Sequence, residues 1–239
     1  VQPTDTVACL VTATDASGDT DKGQATVTVG NSSPTVDSVS ISPSKGVTTG
    51  SKLVCTAKAS DPDGGTPTLA YTWEATDTSG VVTALGKGDT VALSPKMVQP
   101  TDTVACLVTA TDASGETDKG QATVTVENTA PRVSSISINP SKGITTSSRL
   151  ECSATATDAD GEVPTISYAW LNVTTKLSLG SGAKVTLSSK TASPEDVIEC
   201  TATALDSHKG SGRDATSVKV ENTAPSVTSV SISPSKGVT

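Results

Sequence analysis

Apolar and polar residues alternate along most of this chain. In the segment 103–111, which reads TVACLVTAT, every second side chain from Val104 to Ala110 is apolar or a cysteine. A period of two is typical of a strand with one buried face. No stretch shows the helical spacing of apolar residues over three turns. The pattern therefore predicts an all-β fold.

The alternating segments belong to an internal repeat. Residues 1–29 recur at 98–126 with one difference, Asp19 against Glu116, which sets a period of 97 residues. A third copy is slightly shorter, and the residues from 222 onward open another copy. A self-similar period of this length indicates tandem domains.

Prolines mark the boundaries between copies, at Pro34, Pro131 and Pro225. They predict four segments: 1–33 as the C-terminal part of one domain, 34–130 and 131–224 as complete domains, and 225–239 as the first strand of a further domain. Each complete domain should hold about seven strands. In the first complete domain the predicted strands are 36–42, 52–60, 69–75, 81–85, 90–93, 103–111 and 121–126.

A tryptophan lies between two cysteines in the first complete domain, in the order Cys55, Trp73, Cys106. The same order recurs as Cys152, Trp170 and Cys200. This arrangement resembles the immunoglobulin-like sandwich, in which a disulfide joins two sheets and a tryptophan packs on it. The resemblance implies that both tryptophans lie in domain cores.

Longer strings carry a second resemblance. Residues 152–161 and 222–234 resemble the tandem immunoglobulin-like repeats of very large bacterial surface proteins. Such repeats commonly serve as stalks, adhesin shafts or filament subunits, so the resemblance implies sandwich domains arranged end to end. It identifies a module and not an activity.

The spacing of the five cysteines leaves their pairing open, because successive intervals are 46, 51, 46 and 48 residues. Two pairs enclose a tryptophan and lie on one side of each proline boundary, as the immunoglobulin-like pattern implies: Cys55–Cys106 and Cys152–Cys200. Cys9 would then pair with a cysteine outside this sequence. Because disulfides form in oxidising compartments, we expect a secreted or surface location. The resemblance to bacterial repeats implies that the surface is that of a bacterial cell.

Composition excludes several classes of partner. The net charge is −8 and the 17 basic residues are scattered, whereas nucleic-acid binding needs clustered Lys and Arg. No apolar run approaches the roughly 20 residues of a membrane helix. Aromatic residues make up 2% of the chain and Phe is absent, so the cores are thin and should depend on crosslinks.

The predicted joints between domains are short. Only residues 127–130 separate the last strand of the first complete domain from Pro131, and residues 221–224 stand before Pro225. A flexible linker would need more residues, rich in Gly and Ser. Proline also restricts its own backbone. We therefore expect stiff joints.

Acidic residues recur in the loops that this topology places beside each joint. The candidate ligands of a calcium ion are Asp61, Asp63, Asp112 and Asp118 at the first joint and Glu127, Asn128, Asp158, Asp160 and Asp206 at the second. Calcium takes six to eight oxygen ligands, and the loops resemble the Asp-rich turns of cadherin-like and polycystic-kidney-disease-type bacterial repeats. Asp and Gly also favour turns and keep a surface soluble, so both interpretations stand.

Other motifs point to little chemistry. The single histidine, His208, lies in a predicted loop whose counterpart in the preceding domain has none, which argues against a catalytic triad and against an enzyme. Asn172-Val-Thr174 and Asn31-Ser-Ser33 match the N-glycosylation pattern.

These observations predict a structural repeat segment of an extracellular bacterial stalk, fibre or filament. Its partners would be neighbouring repeats and lateral copies of the chain, with calcium as the one candidate cofactor. The alternatives are an adhesin or glycan-binding module, which uses exposed loops or residues 172–190 to hold a glycan or a cell-surface receptor, and a spacer within a secreted enzyme.

Overall fold

The structure is a computed structural model that describes residues 1–233. The chain divides into two compact units, Val1–Thr129 and a second that begins at Ala130. Antiparallel strands build both units, as the alternating pattern predicts. Within the described part of the chain, no helix is long and apolar enough to span a membrane.

The first unit contains nine strands. They are β1 (Thr6–Thr14), β2 (Thr20–Thr28), β3 (Thr35–Ser42), β4 (Lys52–Ser60), β5 (Thr68–Thr76), β6 (Val82–Lys87), β7 (Thr90–Ala92), β8 (Thr103–Thr111) and β9 (Thr117–Thr125). Strands β1 and β2 form a separate hairpin. The other seven form a sandwich with sheet orders β3-β4-β7 and β6-β5-β8-β9. This is the predicted strand number for a complete domain.

Within residues 130–233, the described part of the second unit, there are seven strands. They are β10 (Arg132–Asn139), β11 (Arg149–Thr157), β12 (Thr165–Asn172), β13 (Leu177–Ser181), β14 (Lys184–Thr186), β15 (Val197–Leu205) and β16 (Ser211–Lys219). Their sheet orders, β10-β11-β14 and β13-β12-β15-β16, repeat those of the first sandwich. The tandem immunoglobulin-like sandwich fold is thereby confirmed.

A disulfide crosses the core of each sandwich. In the first unit it joins Cys55 of β4 to Cys106 of β8, which belong to different sheets, with an S–S distance of 2.03 Å. Trp73 packs in the same core, is 1% exposed and donates from Nε1 to the carbonyl oxygen of Gly88 across 2.9 Å. The second unit repeats this core with Cys152, Cys200, Trp170 and Gly182.

The hairpin of β1 and β2 repeats the sequence and pairing of β8 and β9 without their burial. Val7 and Val11 are exposed, whereas their counterparts Val104 and Val108 are fully buried. Cys9 is exposed and unpaired where Cys106 forms a disulfide. In residues 1–233 the hairpin pairs with no further strand, so its apolar face lacks the opposing sheet that covers the same residues in the sandwich.

Two predicted strands differ from the described structure. Strand β9 begins at Thr117, four residues before the predicted Gln121, because its pairing with β8 continues to the turn. Residues 220–233 form no strand, and the prediction of a first strand at 225–239 lies partly outside the described residues. A strand is defined by its pairing, and in the described part nothing pairs with this segment.

Candidate functional site

Acidic residues gather where two loops of each sandwich meet. In the first unit these are the loop between β4 and β5, with Asp61 and Asp63, and the hairpin turn between β8 and β9, with Asp112 and Glu116. Asp112 shapes its own turn, because its Oδ1 accepts hydrogen bonds from the backbone N–H of Ser114 and of Glu116 at 2.9 and 2.8 Å. Asp side chains commonly build turns in this way.

The linker that leads into β3 lies against these two loops. Asn31 donates from Nδ2 to Oδ2 of Asp112 across 2.8 Å and accepts at Oδ1 from the hydroxyl of Ser114 at 3.0 Å. The backbone N–H of Ser32 donates to Oδ2 of Asp63 at 2.5 Å. The side chain of Asn31 therefore uses both ends of its amide on one turn.

Two further donors complete this contact. The hydroxyl of Ser33 donates to Oε2 of Glu116 at 2.7 Å, and the backbone N–H of Val36 donates to Oδ2 of Asp118 at 2.8 Å. We call residues 31–36, with the carboxylates that receive their hydrogen bonds, the linker latch. Each donor is neutral and each acceptor is charged, which makes these bonds stronger than bonds between neutral groups.

Hydrogen bonds lower the pKa of two carboxyl groups in the linker latch. The side chain of Asn31 is the main cause that lowers the pKa of Asp112 below its ordinary value of 3.8. The backbone N–H of Val36 is the main cause that lowers the pKa of Asp118. Both carboxylates are therefore held in the ionised form.

The predicted calcium ligands of the first joint do not fit an ion in this arrangement. Three of the four, Asp63, Asp112 and Asp118, accept hydrogen bonds from the linker, and Asp61 accepts one from the backbone N–H of Asp63 at 2.8 Å. Among residues 1–233 no group of three metal-ligating side chains converges at this end of the first unit. An ion that used these oxygens would have to displace the linker donors.

The second unit presents a different arrangement at the same loops. Asp158, Glu162 and Asp206 each offer a carboxylate oxygen within 4.8 Å of the others. Oδ2 of Asp158 and Oε2 of Glu162 are buried and accept no hydrogen bond. Buried, unpaired carboxylate oxygens are costly, and calcium prefers such ligands. This cluster therefore fits a divalent cation.

The electrostatics of the cluster agree with this fit. Burial is the main cause that raises the pKa of Asp158, and the nearby carboxylates of Asp160, Asp206 and Glu162 raise it further. The cluster thus concentrates negative charge that a cation would neutralise.

The structure places the remaining predicted ligands as follows. Asp160 is buried at 1% exposure. Glu127 accepts a hydrogen bond at Oε1 from the backbone N–H of Gly46 in its own unit. The participation of Glu127 and Asn128 in a site with the following loops stays a prediction. Glu162 was absent from the predicted set, although its position four residues after Asp158 in the same loop was a usable signal.

His208 lies beside the cluster without forming a catalytic relay. Its Nδ1 is 3.2 Å from Oε1 of Glu162 and 3.2 Å from the hydroxyl of Ser207. A serine triad needs the acid and the serine on opposite ring nitrogens, whereas both approach the same nitrogen here. This geometry does not support nucleophilic catalysis.

Comparisons with known proteins reach the fold alone. No family model matches the sequence, and no curated protein matches it significantly. A two-domain fibronectin type III segment of chicken tenascin is 11% identical, with 77% of this chain and 99% of that chain covered and a TM-score of 0.44. A tetra-tandem repeat from the extending region of a large adhesion protein is 15% identical, with coverage of 90% and 56% and a TM-score of 0.36.

A Ca²⁺-stabilised adhesin with which an Antarctic bacterium binds ice is also similar. It is 15% identical, with 90% of this chain and 56% of that chain covered and a TM-score of 0.33. Likeness at this level supports no statement about activity or ligands, since one fold serves many functions.

Proposed function

We propose that this chain is a run of structural repeats from an extracellular stalk, fibre or filament on a bacterial surface. Its two sandwiches share one strand order, as tandem structural repeats do. Each carries a disulfide between its sheets, and such bonds form and persist in oxidising compartments. These features support a secreted, load-bearing role.

The observation that carries the proposal is the short length of chain between the last anchored residue of the first unit and the first buried residue of the second. Glu127 donates from its backbone N–H to the carbonyl oxygen of Val47 at 2.6 Å, and its side chain accepts from Gly46 at 2.8 Å. Pro131 is buried in the second unit. Three residues remain between these fixed points, and an extended chain spans at most about 3.5 Å per residue. Units joined so closely should move as a stiff rod.

The second unit ends in the same way. Glu221 donates from its backbone N–H to the carbonyl oxygen of Ile144 at 2.6 Å and accepts at Oε1 from the backbone N–H of Gly143 at 2.7 Å. Gly143, and Gly46 in the equivalent contact of the first unit, each end a Pro-Ser-Lys-Gly segment that recurs in the sequence. The same two hydrogen bonds anchor the second residue after the last strand in both units. This recurrence supports an array in which each unit ends at the same anchored residue.

Small-angle scattering of the whole chain tests the rod. A compact globule of 239 residues would have a radius of gyration of about 18 Å. We expect a clearly larger value and a distance distribution with the long tail of an elongated particle. A radius close to that of the globule would overturn the proposal.

A linker variant provides the control. Insertion of eight Gly and Ser residues between Asn128 and Pro131 should leave both sandwiches folded and broaden the distance distribution, because flexible linkers behave as random coils. If the native chain already shows the broad distribution of this variant, the joint is flexible and the load-bearing role fails.

We also propose that calcium binds the cluster of Asp158, Glu162 and Asp206. The support is the convergence of three carboxylates and the two buried oxygens without donors. Bound calcium would neutralise these loops and stabilise the second unit by mass action.

Calorimetric titration with calcium chloride tests this site. We expect binding that Glu162→Gln removes and that Glu116→Gln keeps, because Glu116 accepts the Ser33 hydroxyl in the first unit. Thermal unfolding should show the second unit at a higher Tm in calcium than in chelator. Equal unfolding curves and no heat of binding would contradict the site.

No observation favours the glycan-binding alternative. Carbohydrate and ligand sites usually present exposed aromatic rings. Both tryptophans are buried, and Tyr71 and Tyr168 are half-buried against the cores.

A further inference from the structure

We infer that the linker latch of the first unit holds its joint without a metal ion, through neutral donors that occupy the carboxylates. Its joint would then be insensitive to calcium, whereas calcium would stabilise the acidic cluster of the second unit. The inference goes beyond the rod proposal, because it assigns the residue and the chemistry that stiffen one joint.

The linker latch draws its donors from the linker and from the start of β3. Asn31, Ser32 and Ser33 of the linker, and Val36 of β3, each donate to a different carboxylate. The partners Asp112, Asp63, Glu116 and Asp118 come from both loops and from β9. The linker is therefore tied to three separate parts of the sandwich.

Asn31 is the central residue of the linker latch. Its amide nitrogen donates to Asp112 while its amide oxygen accepts from Ser114. A carboxylate in its place could not donate to Asp112, and an aliphatic side chain could do neither. Loss of Asn31 leaves the Asp112 carboxylate without its linker partner.

The chain contains an internal reference for this contact. Asp15, in the β1–β2 turn, builds the same turn as Asp112, with Oδ1 accepting from Ser17 at 2.9 Å and from Asp19 at 3.0 Å. Asp112 differs in that it also receives Asn31. Substitution of Asp15 thus removes the turn bonds without touching the linker.

A cavity beside the linker latch brings the same carboxylates within reach of an ion. It has a volume of about 210 Å³ and lies between Gln2, Asn31, Asp63 and Asp112. An ion there would compete with Asn31 and Ser32 for the oxygens they already use. The test must therefore compare calcium with chelator directly.

Amide hydrogen exchange by NMR on the whole chain tests the inference. In the native protein we expect Ser32 and Val36 to be equally protected in calcium and in chelator. Asn31→Ala should speed their exchange about tenfold in both conditions, because local opening becomes easier. Asp15→Ala, which removes the corresponding turn bonds of the β1–β2 hairpin, should leave both amides unchanged.

Two readouts keep the result decisive. Exchange at the amide of Cys106, in the core, reports whether the Asn31→Ala variant still folds. A second variant, Ser33→Ala, removes a single hydrogen bond of the linker latch and should give a smaller effect. Protection that depends on calcium would mean that an ion holds the joint. Protection that survives Asn31→Ala would remove Asn31 from its assigned role. Either outcome overturns the inference and leaves the rod proposal intact.

Discussion

Asn172 donates from Nδ2 to Oδ2 of Asp196 across 2.8 Å, and both side chains are buried. The same nitrogen donates to the carbonyl oxygen of Thr191 at 3.0 Å. Asn172 therefore ties β12 to the turn before β15. The nitrogen that would carry a glycan in the Asn172-Val-Thr174 motif is already used inside the fold, so the motif serves packing.

Replacement of Asn172 by alanine should destabilise the second unit by about 2 kcal/mol, because a buried hydrogen-bonded amide is lost. Alanine itself fits this strand position, since the equivalent residue of the first unit is the buried Ala75. Urea unfolding followed by tryptophan fluorescence measures the change, in a Trp73→Phe background in which Trp170 is the one remaining indole. An unchanged urea midpoint would show that the Asn172–Asp196 hydrogen bond contributes nothing to stability.

Gly120 should tolerate no side chain. A Cβ there would lie 2.6 Å from Cγ1 of Val36 and 3.0 Å from Cγ2 of Val39. Gly120→Ala should therefore destabilise the first unit by roughly 1–3 kcal/mol through overpacking. The matched control is Gly23→Ala, in the same sequence context with nothing within 4 Å, which should be neutral or slightly stabilising. Equal effects in thermal unfolding would contradict the close contact.

The disulfide between Cys55 and Cys106 closes a loop of 51 residues. Its removal by Cys55→Ala with Cys106→Ala should cost about 4 kcal/mol in the chain-entropy model. Chemical denaturation without reductant measures this loss. Cys9→Ser, at an exposed and unpaired cysteine, should leave the curve unchanged, and a loss there would mean that Cys9 carries a role in stability.

Acid should act on Asp112 and on Asp158 in opposite directions. The lowered pKa of Asp112 means that its stabilisation is complete above the unfolded pKa and is lost as pH falls through the folded pKa. Asp158 has a raised pKa, so its contribution to stability grows as pH falls through that raised value and is absent above it.

Thermal unfolding in chelator between pH 7 and pH 3 checks both signs. Asp158→Asn should raise the Tm of the second unit at pH 7 and remove that part of its pH dependence. Asp112→Asn should lower the Tm of the first unit at pH 7 and reduce its acid sensitivity. Curves of the two variants that run parallel to the native curve would refute these assignments.

The acidic loops show how far sequence reasoning reached at the candidate site. The repeat and the Asp-rich turns indicated where carboxylates gather, and they predicted one ion-binding arrangement for both joints. Asp112 and Asp206 occupy equivalent positions. Asp112 accepts a hydrogen bond from Asn31, and Asp206 lies within 4.8 Å of the carboxylate oxygens of Asp158 and Glu162. Spacing along the chain does not reveal which donors reach which oxygen.

The sequence by itself determined the strands, the repeat and the sandwich class. Alternation with a period of two is a local pattern that can be recognised within each strand, and the Cys–Trp–Cys order recurs in each complete copy. Burial was decided only by the tertiary structure. Val104 and Val7 stand in identical segments, but Val104 is fully buried and Val7 is 44% exposed. The physical reason is that a strand pattern specifies an apolar face, whereas an opposing sheet must be present to remove that face from water.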